Sequence, residues 1–203
     1  MGALRRGGEV VDARDDGTCH LTSLHPGDRL HVESDPSRPL WASVTLSGER
    51  VGAREVHDSG IRVTREVRTL DGEPAVLDDV RVGDALMVLV NLESTGTVPD
   101  VALVDRIPAG WELENVAQEP TALPSWLDEK TEHWRTDHVD RRDDRVAAFG
   151  TLHGRGIQTL VYTVRVVSPG TFTHPAAVAE SMYKGEIRGW SQTGQITTRE
   201  RSR

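Results

Sequence analysis

Ala85-Leu-Met-Val-Leu-Val-Asn-Leu92 is the stretch that decides the fold class. Leu86, Val88 and Val90 keep the period of two that a strand imposes, and the alternate positions Met87 and Leu89 are apolar as well. A strand of this kind is covered on both faces, which places it in the core of a sandwich. Working outward, β-branched runs recur at Leu40-Trp-Ala-Ser-Val-Thr-Leu46, Ile61-Arg-Val-Thr-Arg-Glu-Val67, Val101-Ala-Leu-Val104 and Thr159-Leu-Val-Tyr-Thr-Val-Arg-Val-Val167. In the second of these the apolar alternation of Ile61 and Val63 fails at Arg65. Turn formers separate the runs at Pro26-Gly-Asp28, Asp71-Gly72, Val82-Gly-Asp84, Pro108-Ala-Gly110 and Ser168-Pro-Gly170. Short strands between regular turns predict an all-β antiparallel sandwich.

The segment Glu119 to Glu132 reads as a long surface excursion, with Pro120 and Pro124 limiting any helix to a short turn at 125–130. Trp41, inside a predicted strand, is expected in the core. Trp126 and Trp134 lie in the polar excursion or beside it and read either as partner-contact residues or as local packing.

With 36% hydrophobic and 28% charged residues, the composition is that of a globular protein. A net charge of −8 opposes a nucleic-acid partner, because phosphate binding needs a basic surface. Arg141-Arg142 is neutralised by Asp140, Asp143 and Asp144. Cys19 is the single cysteine, so no intrachain disulfide and no cysteine-based zinc site is available. No segment approaches the roughly 20 apolar residues of a membrane-spanning helix, and no signal peptide follows Met1. The ragged opening Gly2-Ala-Leu-Arg-Arg-Gly-Gly8 suggests a fragment of a longer chain.

Catalytic and metal motifs fail on spacing. His20 with His25, and His133 with His138, are five residues apart, which in a strand sets the rings on opposite faces. His138 and Asp140 share a face, but two ligands do not complete a metal site. Gly189-Trp-Ser-Gln-Thr-Gly194 has one residue too many for a Gly-x-Ser-x-Gly nucleophile elbow, and the strand-turn-helix context is missing. Asp143-Asp144 reads as a charged hairpin turn, because adjacent carboxylates in extended chain diverge and calcium wants six to eight oxygens. No nucleotide-binding loop is present. The expectation is a non-enzymatic protein with no catalytic residue, no metal and no cofactor.

Four segments taken in order carry a resemblance: Val101-Ala-Leu-Val-Asp-Arg-Ile-Pro-Ala-Gly-Trp-Glu-Leu-Glu-Asn115, Asp137-His-Val-Asp-Arg-Arg-Asp-Asp-Arg-Val-Ala-Ala-Phe149, Val161-Tyr-Thr-Val-Arg-Val-Val-Ser-Pro-Gly-Thr-Phe172 and Ala179-Glu-Ser-Met-Tyr183. Together they resemble the C-terminal macroglobulin domain of bacterial α2-macroglobulins, with the likeness running from about residue 40 to 198. It implies an immunoglobulin-like, macroglobulin-type β-sandwich over 49–198. Residues 1–48 would be part of the preceding small β domain or its return strands, and 199–203 a disordered tail.

Members of that family are periplasmic or cell-envelope protease inhibitors. After bait cleavage, an exposed thioester acylates the attacking protease. The resemblance implies that this domain's partners are the thioester domain and neighbouring macroglobulin domains of an exported parent, with proteases as the parent's targets. It also implies that Met182 and Tyr183 cover the thioester before cleavage. Without the resemblance, both would pack inside their own sandwich. No thioester motif occurs in this chain, and Cys19 is not its cysteine. The alternative is a stand-alone immunoglobulin-like module for surface adhesion or ligand binding. Exposed Met182 and Tyr183 side chains favour a missing partner domain, whereas burial favours the self-contained module.

Overall fold

The computed structural model describes residues 3–16, 18–21, 24–25, 27–33, 37, 43–45, 47, 55–114, 124, 126–127, 132–154 and 156–201. The chain forms two units, Met1–Arg50 and Val51–Arg203. In the first, β1 (Ala3–Arg6) pairs antiparallel with β2 (Glu9–Val11) and with β3 (Leu30–Glu33). Gly7 and Gly8, at φ of 56° and 98°, close the β1–β2 hairpin in the left-handed conformation that a two-residue turn requires. Within the predicted strand at 40–46, the described residues 43–45 are not in a strand; the remainder, including Trp41, lies outside the described residues.

The second unit holds β4 (His57–Ser59), β5 (Ile61–Thr69), β6 (Val80–Arg81), β7 (Ala85–Ser94), β8 (Val98–Arg106), β9 (Trp111–Leu113), β10 (Glu132–His133), β11 (Thr136–Arg142), β12 (Arg145–Leu152), β13 (Ile157–Val166), β14 (Gly170–His174), β15 (Val178–Ser181), β16 (Arg188–Trp190) and β17 (Gly194–Arg199). A five-stranded sheet has the order β10-β13-β7-β5, with β9 also on β13. A six-stranded sheet runs β11-β12-β8-β15-β16-β4, and a small third sheet runs β14-β17-β6. Asp143-Asp144 forms the turn between β11 and β12, as expected of a charged hairpin.

The inner faces of the two large sheets meet in one core. Ile61, Val63, Val88, Val90 and Leu92 come from the first, and Val101, Leu103, Val146 and Ala148 from the second. The all-β sandwich follows from this shared core. On β7 the period of two divides the side chains as the sequence requires. Leu86, Val88 and Val90 enter the main core, while Met87 and Leu89 pack on the other face with Leu127, Trp126 and Val161. The excursion therefore supplies the second cover for the central strand.

Arg65, where the apolar alternation fails, also points inward. Its Nη1 donates to Asp105 Oδ1 at 2.6 Å, and the Tyr162 hydroxyl donates to Asp105 Oδ2 at 2.7 Å. The side chains of Arg65 and Asp105 are 5% and 0% exposed. This triad joins β5 and β13 of one sheet to β8 of the other. Burial pushes the Asp105 carboxyl up, against the Arg65 charge and the Tyr162 hydrogen bond, which pull it down. His174 is buried nearby; burial, and secondarily the Arg65 charge, push its imidazole down to about 3.

At the C-terminal end, β17 carries ordered pairing to Arg199, and Arg201 Nη2 bonds Asp84 Oδ1 at 2.9 Å.

Asp105→Asn leaves the Arg65 charge buried without its counter-ion and is expected to destabilise by about 3–5 kcal/mol in urea denaturation. Adding Arg65→Met removes that charge, and the double variant should recover more than half of the loss. A second expectation concerns acid. His174 is held neutral in the folded state, with its folded value near 3 against an ordinary value near 6.5. Its contribution is therefore complete above about pH 6.5 and is lost progressively as the pH falls toward about 3, a change on the order of 5 kcal/mol. His174→Gln should flatten the stability-versus-pH curve in that window relative to wild type.

Candidate functional site

The site begins with Val178-Ala-Glu-Ser181, a strand whose alternate members Ala179 and Ser181 are buried. As β15 it lies between β8 and β16, and pairs Val178 with Trp190, Ala179 with Gly189 and Glu180 with Arg188. Gly189 is required there, because a Cβ would collide with the carbonyl oxygen of Ile61. Beyond Ser181 the chain turns through 182–187 and returns as β16.

Both ends of this tip are tied down. The Ser181 amide donates to Ile187 O at 2.9 Å, and the Ile187 amide to Lys184 O at 2.8 Å. The Met182 amide donates to Asp100 O at 2.8 Å. Asp100 lies where the β8–β12 register slips between Gly150 and Leu152, and it is the non-glycine residue with positive φ (52°) among those described. A β-bulge thus turns a β8 carbonyl toward the tip. Held this way, Met182 is 55% exposed and Tyr183 79% exposed. A thioether and a phenol ring face solvent on a backbone that is hydrogen-bonded at its base, an arrangement suited to covering a partner surface.

The other expected residues are dispersed. Trp134 is 5% exposed in the main core and donates from Nε1 to Thr151 O at 3.0 Å, so it takes the packing role. Trp126 is half-buried on the second face of β7; its Nε1 donates to Leu70 O at 2.7 Å. His133 and His138 lie on β10 and β11; His138 faces Phe149, and Asp140 pairs with Arg142. His20 is exposed, and His25 lies beside Asp28. Among the described residues, no group of three or more His, Cys, Asp or Glu could hold a metal ion. Ser191, the serine of the imperfect elbow, is buried and accepts the Ala177 amide at 3.0 Å.

Sequence reasoning missed Asp100 as the residue that orients the tip. Its left-handed conformation and the register slip are tertiary features; the adjoining Pro99 was the available local signal.

Comparison with known proteins places the tip inside a recognised span. A family model described as the bacterial α2-macroglobulin MG10 domain matches residues 60–186. The α2-macroglobulin of Escherichia coli K12 is 31% identical over 174 residues, covering 81% of this chain and 10% of that protein. A crystal structure of native E. coli α2-macroglobulin, spanning domain MG7 to the C-terminus, superposes with a TM-score of 0.62 at 29% identity, covering 71% of this chain and 24% of that one. The E. coli protein activated by porcine elastase gives a TM-score of 0.64 at 28% identity, covering 72% and 14%. The chain spans about a tenth of the length of the curated relatives it matches. It belongs to the bacterial α2-macroglobulin MG10 domain family.

Proposed function

We propose that this chain serves, without enzymatic activity of its own, as the C-terminal domain of an exported, periplasmic or envelope-bound protease trap. In this reading the Met182–Tyr183 tip packs on the thioester domain and keeps water from the thioester until bait cleavage. The observation that carries it is the exposure of the two side chains, 55% and 79%, on a tip whose backbone is anchored at Asp100 and Ile187. Two adjacent large side chains exposed on a fixed tip form a small patch suited to a partner surface. The matched family span includes the tip, and the elastase-activated relative supports proteases as the parent's targets.

The energetics suit a releasable latch. A buried aromatic ring removes about 150–250 Å² from water. At about 25 cal/mol per Å² that amounts to at most roughly 4–6 kcal/mol before ordering costs. A contact of this size holds a closed state and yields when the parent rearranges. It also excludes water from an ester prone to hydrolysis.

Replacing Met182 and Tyr183 with alanine in the full-length parent is expected to speed loss of the thioester to methylamine by about tenfold or more, corresponding to about 1.4 kcal/mol or more of lost shielding. The same double substitution should leave the melting temperature of the 203-residue chain unchanged, since neither side chain packs in its core. An unaltered methylamine rate would overturn the shielding role.

A further inference from the structure

Three arginines stand in one row on the outer face of the six-stranded sheet. The register sets Arg106 of β8 opposite Arg145 of β12, and Arg145 opposite Arg142 of β11. Directly opposite residues share a face, with their Cβ atoms about 5 Å apart. Asp105 and Val146, the chain neighbours of Arg106 and Arg145, are fully buried, so the row itself turns to solvent. Along the chain, Arg141-Arg142 is offset by its aspartate neighbours. The fold brings Arg106 in from a separate strand, so that Arg106, Arg141, Arg142 and Arg145 stand against Asp140, Asp143 and Asp144.

Like charges directly opposite one another destabilise a sheet, and this row repeats the conflict across both strand pairs. Two carboxylates relieve part of it. Arg142 Nε donates to Asp140 Oδ2 at 2.7 Å, and Arg145 Nε donates to Asp144 Oδ1 at 2.9 Å. The Arg145 hydrogen bond, with smaller effects from the Arg145 and Arg106 charges, holds the Asp144 carboxyl below its ordinary value. Both contacts are made through Nε, which leaves the terminal Nη groups of the two forks for a further acceptor. The Arg142 and Arg145 side chains are 64% and 37% exposed, and ion pairs in that setting are weak enough to yield to a stronger anion.

We propose that this row binds a terminal phosphate group, free in solution or carried on a lipid headgroup, through the guanidinium ends of Arg106, Arg142 and Arg145. The planar fork of arginine matches phosphate oxygens through paired N–H donors. A terminal phosphate has three outward oxygens, enough to engage forks from three adjacent strands at once. A carboxylate has two, and Asp140 and Asp144 already supply that chemistry. Such a ligand also relieves the cross-strand repulsion that the two carboxylates leave in place. Arg106 ends β8, about 20 Å along the strand from Asp100 at roughly 3.3 Å per residue, so the row is separate from the Met182–Tyr183 tip.

The test uses the 203-residue chain, 15N-labelled, with sodium phosphate as probe and sodium chloride of matched ionic strength as control. Phosphate should shift the Arg106, Arg142 and Arg145 Nε–H resonances saturably, and chloride should not. Arg106→Gln and Arg145→Gln should each weaken phosphate binding by about fivefold, the worth of one exposed charge contact. Asp140→Asn should tighten binding, because it removes a competing carboxylate. Urea denaturation verifies the fold of each variant. Sedimentation with phosphatidylcholine vesicles containing phosphatidic acid separates the two sources. Vesicle binding lost in Arg106→Gln assigns the headgroup, and phosphate shifts without vesicle binding assign the free ion; either result supports the site. Shifts that chloride reproduces, shifts unchanged in Arg106→Gln, or the absence of both phosphate and vesicle binding would overturn it. So would a tetraglutamate peptide binding the row more tightly than phosphate, since that marks an acidic protein segment as the partner.

Discussion

Asp105 has a carboxylate with no exposed surface inside a largely hydrocarbon core, and this demand for compensation constrains the arrangement of the sandwich. Desolvating such a group costs several kcal/mol unless donors replace the lost water. Arg65 and Tyr162 supply them from two strands of the opposite sheet. A shift of one residue in β5 or β13 would turn its donor to the other face. The triad thereby favours one register among those the apolar pattern alone would tolerate. It also keeps a positive charge near His174.

The Met182–Tyr183 tip is apolar and projecting, and it is held by hydrogen bonds to its own backbone and to the Asp100 bulge. The tip suits broad contact with a preformed domain, where area provides the attraction.

Much of the fold was legible because strand periodicity is local. Leu86, Val88 and Val90 against Met87 and Leu89 announced a strand buried on both faces, and the two clusters divide these residues in that way. The break at Arg65 was visible, but its cause was not, because Asp105 is 40 positions away in the chain. Trp134 read equally as a contact or a packing residue from its polar surroundings, and its place in the core depends on Thr151 and the facing sheet. The candidate site was legible as the pair Met182–Tyr183, whereas its mooring to Asp100 was not.

The sequence by itself determined the class of structure: strands at 61–67, 85–92, 101–104 and 159–167, turns between them, and a family likeness concentrated in short ordered segments. Alternation and turn chemistry act over a few residues, so they survive without knowledge of the fold. Only the tertiary structure decided which side chains face water and which polar groups meet. Exposure of Met182 and Tyr183 and the Arg65–Asp105–Tyr162 triad both depend on strands distant in sequence. Their energies come from desolvation and pairing across the sheets, which no local window contains.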